Sequence, residues 1–245
     1  MTVTSPQPSA YSALIICGII ASLLYWRRHW KKDERLFYIY LGGLVAAFTG
    51  AKLVYFLSEG WLFIGKPGFW PAILTGKSVV GALLGGYAGA EWVRRQVNYP
   101  GFTGDFFAAI VPAGIAIGRI GCLLHGCCLG VVCESTSFSM TDKKGVSRWP
   151  AVPVEIIFNL LILGVLAALR HRRILPFQHF HLYLVAYGVF RFFHEFLRDT
   201  PRILVGLSGY QIASAMMAGF GFWAFQNRQK LLKAGAITSN STQDR

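Results

Sequence analysis

Long apolar runs alternate with short basic or polar stretches along most of the chain. The runs fall at Tyr11–Trp26, Leu36–Leu57, Ser78–Trp92, Gly104–His125, Val152–Leu169, Phe180–Leu197 and Leu207–Phe225. A helix needs about 20 mostly apolar residues to cross the hydrocarbon of a bilayer. The pattern therefore predicts an all-α, polytopic membrane protein of about seven transmembrane helices, the third of them short and rich in glycine. Met1–Ala10 carries no Lys or Arg, so the charged leader of a cleavable signal peptide is missing and Tyr11–Trp26 is expected to be a retained helix. From Gln226 onward the chain turns polar. The expected organisation is one transmembrane domain over residues 1–225 and a polar cytoplasmic tail over 226–245.

Composition sharpens this picture. Of the 245 residues 54% are apolar and 14% charged, against roughly 45–50% and ~25% in soluble domains, and the mean hydropathy is +0.46. A soluble enzyme, a disordered chain and a secreted disulfide scaffold are excluded. The formal charge of +13 would point to nucleic acid in a soluble protein. Here the basic residues lie mostly between apolar runs, where they meet anionic headgroups, so membrane lipids are expected partners and nucleic acid is not. With the N-terminus outside, fourteen Lys and Arg fall in inner segments and seven in outer ones, and the positive-inside bias predicts N-out and C-in. The longest outer polar connection, Leu129–Pro150, is the expected lid or substrate-facing loop.

Lys52, Arg119 and Arg191 fall within the apolar runs themselves. A charge near the bilayer centre costs a few kcal/mol or more, so it faces a bundle interior, finds a partner and marks function. Tyr187, Arg191 and Glu195 are spaced by four, with His194 and Arg198 beside them, which gives the sixth run a polar stripe on one helical face. Arg119 has no acid within a turn. Its partner must come from elsewhere, with Glu195, Glu155 and a lipid phosphate as candidates. Gly114, Gly118 and Gly121 around it leave room for a helix or a ligand. Two arginines among glycines suit a phosphate, because a guanidinium fork donates bidentately to phosphate oxygens.

The run Gly76-Lys-Ser-Val-Val-Gly-Ala-Leu-Leu-Gly-Gly86 contains Gly-Lys-Ser. A phosphate loop needs a glycine five residues before Gly76, and Pro71 stands there. Nucleotide binding is excluded, helix packing is expected, and Ser78 is a candidate substrate contact. Cys122, Cys127, Cys128 and Cys133 cluster around His125. Cys and His are zinc ligands, but two of the cysteines are adjacent and no Cys-x-x-Cys recurs, so no metal is expected. A bridge from Cys133 to Cys127 or Cys128 would suit an oxidising compartment, and plain packing is the alternative; Cys17 is expected only to pack. His125, six residues beyond Arg119 at the outer end of its run, is a candidate proton acceptor near neutral pH, with His194 second.

Gly118-Arg-Ile-Gly121 at the outer end of one span and Tyr187-Gly-Val-Phe-Arg-Phe-Phe-His-Glu-Phe-Leu-Arg198 on a later one resemble the prolipoprotein diacylglyceryl transferase family. Its later-span motif, Tyr-Gly-x-x-Arg-x-x-x-Glu-x-x-Arg, is complete at Tyr187, Gly188, Arg191, Glu195 and Arg198. The seven spans and the outside N-terminus agree with that family. The resemblance implies transfer of diacylglycerol from phosphatidylglycerol to the lipobox cysteine of a prolipoprotein in the bacterial inner membrane, releasing glycerol phosphate, with no cofactor. Arg119 and Arg191 would grip the phosphate, Glu195 would orient Arg191, Tyr187 would line the cavity, and Glu155 stands where the family usually has glutamine. The chain departs elsewhere. Cys122, His125 and Cys127 occupy positions of Asn, Asn and Glu, and Val80 replaces the family's third-span histidine. The phosphate-gripping half of the site is kept and the thiol-activating half is changed, with His125 expected to substitute as base. The alternatives are a phospholipid-binding paralogue with the same arginine clamp but another acceptor, and a thiol- or metal-dependent protein organised around Cys122–Cys133.

Overall fold

The structure, a computed structural model, describes residues 8–233; residues 1–7 and the expected tail beyond 233 lie outside them. The chain forms α1 (Pro8–Trp30), α2 (Arg35–Ser58), α3 (Phe69–Thr75), α4 (Val79–Gln96), α5 (Gly104–His125), α6 (Ala151–His171), α7 (His179–His194) and α8 (Gly209–Lys233). All seven apolar runs are helical, and a 3₁₀ turn at Glu195–Leu197 completes the sixth. Helices α2, α5 and α6 are long and apolar enough to cross a membrane. Their outward faces carry exposed Val45, Phe48 and Leu57 on α2 and Leu160, Leu161 and Val165 on α6, as expected where lipid rather than water covers the surface. The protein is an all-α membrane protein.

Two boundaries differ from the sequence reading. Helix α3 is a seven-residue insert that no apolar period announces. Helix α8 runs through residues read as tail, because Arg228 on its last turns is buried, lies 3.4 Å above the Phe102 ring and 3.8 Å from Glu91. The N-terminus of α8 is closed by reciprocal caps: the Gln211 side chain accepts from the Ser208 N–H at 2.9 Å, and the Ser208 hydroxyl accepts from the Gln211 N–H at 3.2 Å.

Helices α2 and α4 pack backbone against backbone. A Cβ at Gly50 would strike the Gly81 carbonyl, one at Gly81 the Gly50 carbonyl, and one at Gly85 the Ala46 carbonyl. Small residues four apart let two helices approach this closely where apolar burial gives no drive between them. That is the role of the glycine-rich run. Ser78 caps α4, its hydroxyl accepting from the Gly81 N–H at 3.3 Å. Lys52 reaches across to the open end of α3, donating to the carbonyls of Ile73, Leu74 and Gly76 at 2.8, 2.6 and 3.0 Å. A cation at a helix C-terminus satisfies its unpaired carbonyls and its dipole. Val80 lies in the main core with Leu83, Tyr183, Tyr187 and Met217.

The 129–150 segment forms a short antiparallel ribbon, β1 (Met140–Thr141) with β2 (Ser147–Arg148). It is pinned to the end of α7: the Val131 N–H donates to the Leu197 carbonyl at 3.1 Å, and Arg148 pairs with Asp142 at 2.7 Å and Asp199 at 2.9 Å. All five cysteines are free. Of the two alternatives for Cys133, the bridge does not form: Cys133 joins the ribbon ladder through its N–H on Ser147 O, while Cys127 and Cys128 turn toward Cys122.

Candidate active site

Four side chains converge on one carboxylate. Glu155, on the second turn of α6, is fully buried. Arg119 of α5 sets its Nε 2.9 Å from Glu155 Oε1, while Nη1 of Arg191 and Nη1 of Arg198 lie 3.8 and 3.9 Å from Oε2. The Tyr187 hydroxyl donates to Oε1 at 2.6 Å. A second carboxylate, Glu195, is also fully buried; it holds Arg191 Nη2 at 2.6 Å and faces Arg198 Nε at 3.7 Å. The partner of Arg119 is therefore Glu155. Arg191 does form the i,i+4 pair with Glu195 that the spacing allows.

Local sequence explains the placement. Tyr183, Tyr187, Arg191 and Glu195 follow one face of α7 and its continuation. Glu155 and Asn159 on α6 oppose the two tyrosines, with the Tyr183 hydroxyl donating to Asn159 Oδ1 at 2.8 Å and the Asn159 amide to the Glu155 carbonyl at 2.8 Å. This ladder fixes α6 against α7 and aims Glu155 at the arginines. The loop before α8 closes one side of the site: Arg202 donates to Gln211 Oε1 at 2.8 Å and to the Glu195 carbonyl at 3.3 Å.

Three guanidiniums face two carboxylates, so the buried group carries an excess positive charge. Arg191 Nη1, Arg198 Nε and Nη1 and the carboxylate oxygens Glu155 Oε2 and Glu195 Oε2 make no hydrogen bond among the described residues; they face one another at 3.7–3.9 Å, too long to satisfy either side. An unpaired buried charge is costly, and the arrangement can lower that cost by taking up an anion with several oxygens. His194 adds to the cluster. It is 4% exposed, stacks on Phe190 with ring centroids 4.9 Å apart, and neither ring nitrogen has a hydrogen-bond partner among the described residues.

The structure thus brings together Arg119, Arg191, Glu195, Tyr187, Glu155 and Arg198. Gly118 and Gly121 flank Arg119 on α5; a Cβ at Gly118 would meet nothing within 4 Å, whereas Gly121 is buried. Ser78 is occupied as a helix cap. His125 stands exposed on the last turn of α5, outside the buried group, because six residues along a helix rotate it to another face than that of Arg119. Sequence reasoning missed Asn159, Tyr183, Arg202 and the Ser208–Gln211 pair. The Ser-x-x-Gln spacing was the signal for the last of these.

A sequence profile described as prolipoprotein diacylglyceryl transferase matches residues 3–226. Similar proteins named phosphatidylglycerol–prolipoprotein diacylglyceryl transferase occur in Clostridium tetani, at 27% identity over 88% of this chain and 91% of the relative, and in Pseudoalteromonas atlantica, at 28% over 94% and 89%. One from Aeromonas hydrophila is 30% identical over 77% of this chain and 68% of its own length.

Proposed function

The chain belongs to the prolipoprotein diacylglyceryl transferase family, and from that premise we propose that it moves the diacylglyceryl group of phosphatidylglycerol onto the lipobox cysteine thiol of a prolipoprotein, releasing glycerol phosphate. The observation that carries this reading is the buried trio Arg119, Arg191 and Arg198 around Glu155, with guanidinium N–H groups left over for phosphate oxygens.

In the reaction the thiolate sulfur attacks the diacylglycerol carbon that bears the phosphate. The S–C bond forms, the C–O bond breaks, and the electron pair leaves on the phosphate oxygen. Arg119 and Arg191 bind that phosphate and stabilise the charge it gains, a role in which one well-placed donor is worth roughly 10²–10³ in rate. Glu155, Glu195 and Tyr187 hold the two arginines in position, and Arg198 supplies a further fork. The open space beside Gly118 admits the lipid glycerol. A free thiol has a pKa near 8.5, so it needs a proton acceptor; His194, with both ring nitrogens unpartnered inside the cluster, takes that role in place of the exposed His125. All seven long helices cross the bacterial inner membrane with the N-terminus out, which sets the ribbon and the arginine cluster toward the outer face, where the lipobox segment arrives.

The test is release of glycerol phosphate from labelled phosphatidylglycerol by the purified protein, with and without a lipobox-cysteine peptide. The expected result is release that requires the peptide, lost in Arg119→Ala and strongly slowed in His194→Gln. Lipid binding without release would leave the arginine clamp with a different acceptor and overturn the transfer reading.

A further inference from the structure

Just past the arginine cluster the chain folds three thiols together. Cys122 lies on the last turn of α5, and Cys127 and Cys128 follow it. The Gly126 and Cys127 N–H groups donate to the Leu123 and Cys122 carbonyls, both at 3.2 Å, a glycine-ended helix stop. Gly126 at φ +69° and Cys128 at φ +61° both take left-handed backbone, which turns the chain back over the helix end. For Cys128, which has a Cβ, that conformation costs about 1 kcal/mol or more, and it places the thiol among the other two. The three sulfurs lie within 4.8 Å of one another, while Cys17 and Cys133 stand outside the group.

We propose that Cys122, Cys127 and Cys128 form a three-thiolate binding site for a thiophilic divalent cation of the zinc and cadmium class. Zinc–sulfur bonds of about 2.3 Å at tetrahedral angles set sulfurs about 3.8 Å apart. Side-chain rotation closes that difference without moving the backbone. Among the described residues no carboxylate or imidazole joins the group, which disfavours the hard, oxygen-seeking cations magnesium and calcium. The surroundings suit anionic sulfur, since the guanidiniums of Arg119 and Arg198 lie close enough to act on Cys128. Three protein ligands leave a fourth position. The triad lines a small open recess of about 30 Å³ walled by Leu129, Met140, Trp149, Pro150 and Val152, so that position falls to water or to a donor lodged between α5 and the ribbon. Adjacent cysteines gave no metal spacing in the sequence; the two left-handed residues supply the geometry that spacing lacks.

The experiment uses the full chain in detergent with thiols reduced, titrated with Cd²⁺. The expected result is one cadmium per chain with thiolate-to-metal charge-transfer absorption, displaced by Zn²⁺. Affinity should fall by at least about tenfold in C122S, C127S and C128S, since even removing a ligand's outer-shell partner costs that much, and should hold in C17S and C133S. A second measurement uses the unaltered chain and so does not depend on any variant folding: Zn²⁺ should protect the three thiols, but not Cys133, from N-ethylmaleimide, read by peptide mass. Absence of charge transfer, uptake that follows Cys133, or equal alkylation with and without Zn²⁺ overturns the site. So does oxidation of the triad to a disulfide combined with no cation uptake after reduction. None of these readouts depends on transfer activity.

Discussion

The α2–α4 pair and the α5–α6–α7 junction both bury groups that a bilayer tolerates poorly, and they do so in opposite ways. In the first, glycines bring bare backbone to within contact of the facing helix, as at Gly50 and Gly81. In the second, three arginines and two glutamates share one buried space. The glycine pair is satisfied by shape alone. The charged junction is incompletely satisfied, with guanidinium N–H groups to spare. That surplus distinguishes a site from a seam: packing motifs close on themselves, whereas a binding site keeps donors for something else.

Glu155→Ala should break the comparison most severely. Removing one partner of a buried ion pair strands the other and typically costs 3–5 kcal/mol; here it strands Arg119 and leaves Arg191 and Arg198 with Glu195 alone. Unfolding in detergent should show that loss, together with lost transfer. The double variant Glu155→Ala/Arg119→Ala should recover part of the stability and none of the activity, because it removes the stranded charge and the phosphate ligand together. A Glu155→Ala protein as stable as the wild type would mean that the cluster is solvated rather than buried.

The same residue type should then give opposite signs in the two regions. Gly85→Val drives a side chain into the Ala46 carbonyl and should destabilise by about 1–3 kcal/mol, the range for overpacking, without selective loss of phosphate binding. Gly118→Ala meets open space and should stabilise α5 by roughly 0.5–1 kcal/mol, the usual gain of Ala over Gly inside a helix. If the lipid uses that space, the KM for phosphatidylglycerol rises while stability increases. Thermal unfolding and transfer kinetics on the two variants separate these effects.

How much of this was legible beforehand follows the same division. The seven helices were visible because apolar length is a strong signal, and Arg191 with Glu195 because both sit on one helix at i,i+4. Lys52 was legible only as an anomaly, since its partners are carbonyls of α3, a helix without a periodic signature. The pairing of Arg119 with Glu155 joins residues far apart in the chain, so spacing could offer it only as one candidate among several. His125 drew notice because it sits six residues from Arg119 in sequence, and helical rotation takes it out of the cluster. Val80 shows why a missing residue is easier to see than its replacement: the position is plain in the sequence, where His194 ranks only second to His125, and its burial against Phe190 inside the cluster is what puts it first.

The smallest effect lies where charge is arranged at the surface. In the ribbon Asp142 Oδ1 accepts from the Lys144 and Val146 N–H groups at 2.8 and 3.0 Å, and Oδ2 from Arg148 Nε at 2.7 Å. The hydrogen bond from Arg148, followed by that from the Val146 N–H, holds the Asp142 carboxyl below its ordinary value. A carboxyl depressed in the folded state stabilises it fully above the unfolded value, near 3.9, and loses that contribution as pH falls through the lower folded value. The ribbon should therefore keep its closure from neutral pH down to about pH 4 and loosen only below. Amide exchange at Lys144 and Val146, corrected for its intrinsic pH dependence, reads this directly. In Asp142→Asn the same amides should exchange faster at neutral pH and show no acid step. A step that persists in the variant would assign it to another group, and the contrast between a ribbon clamp tuned by one ion pair and a buried junction with donors to spare would lose its acidic arm.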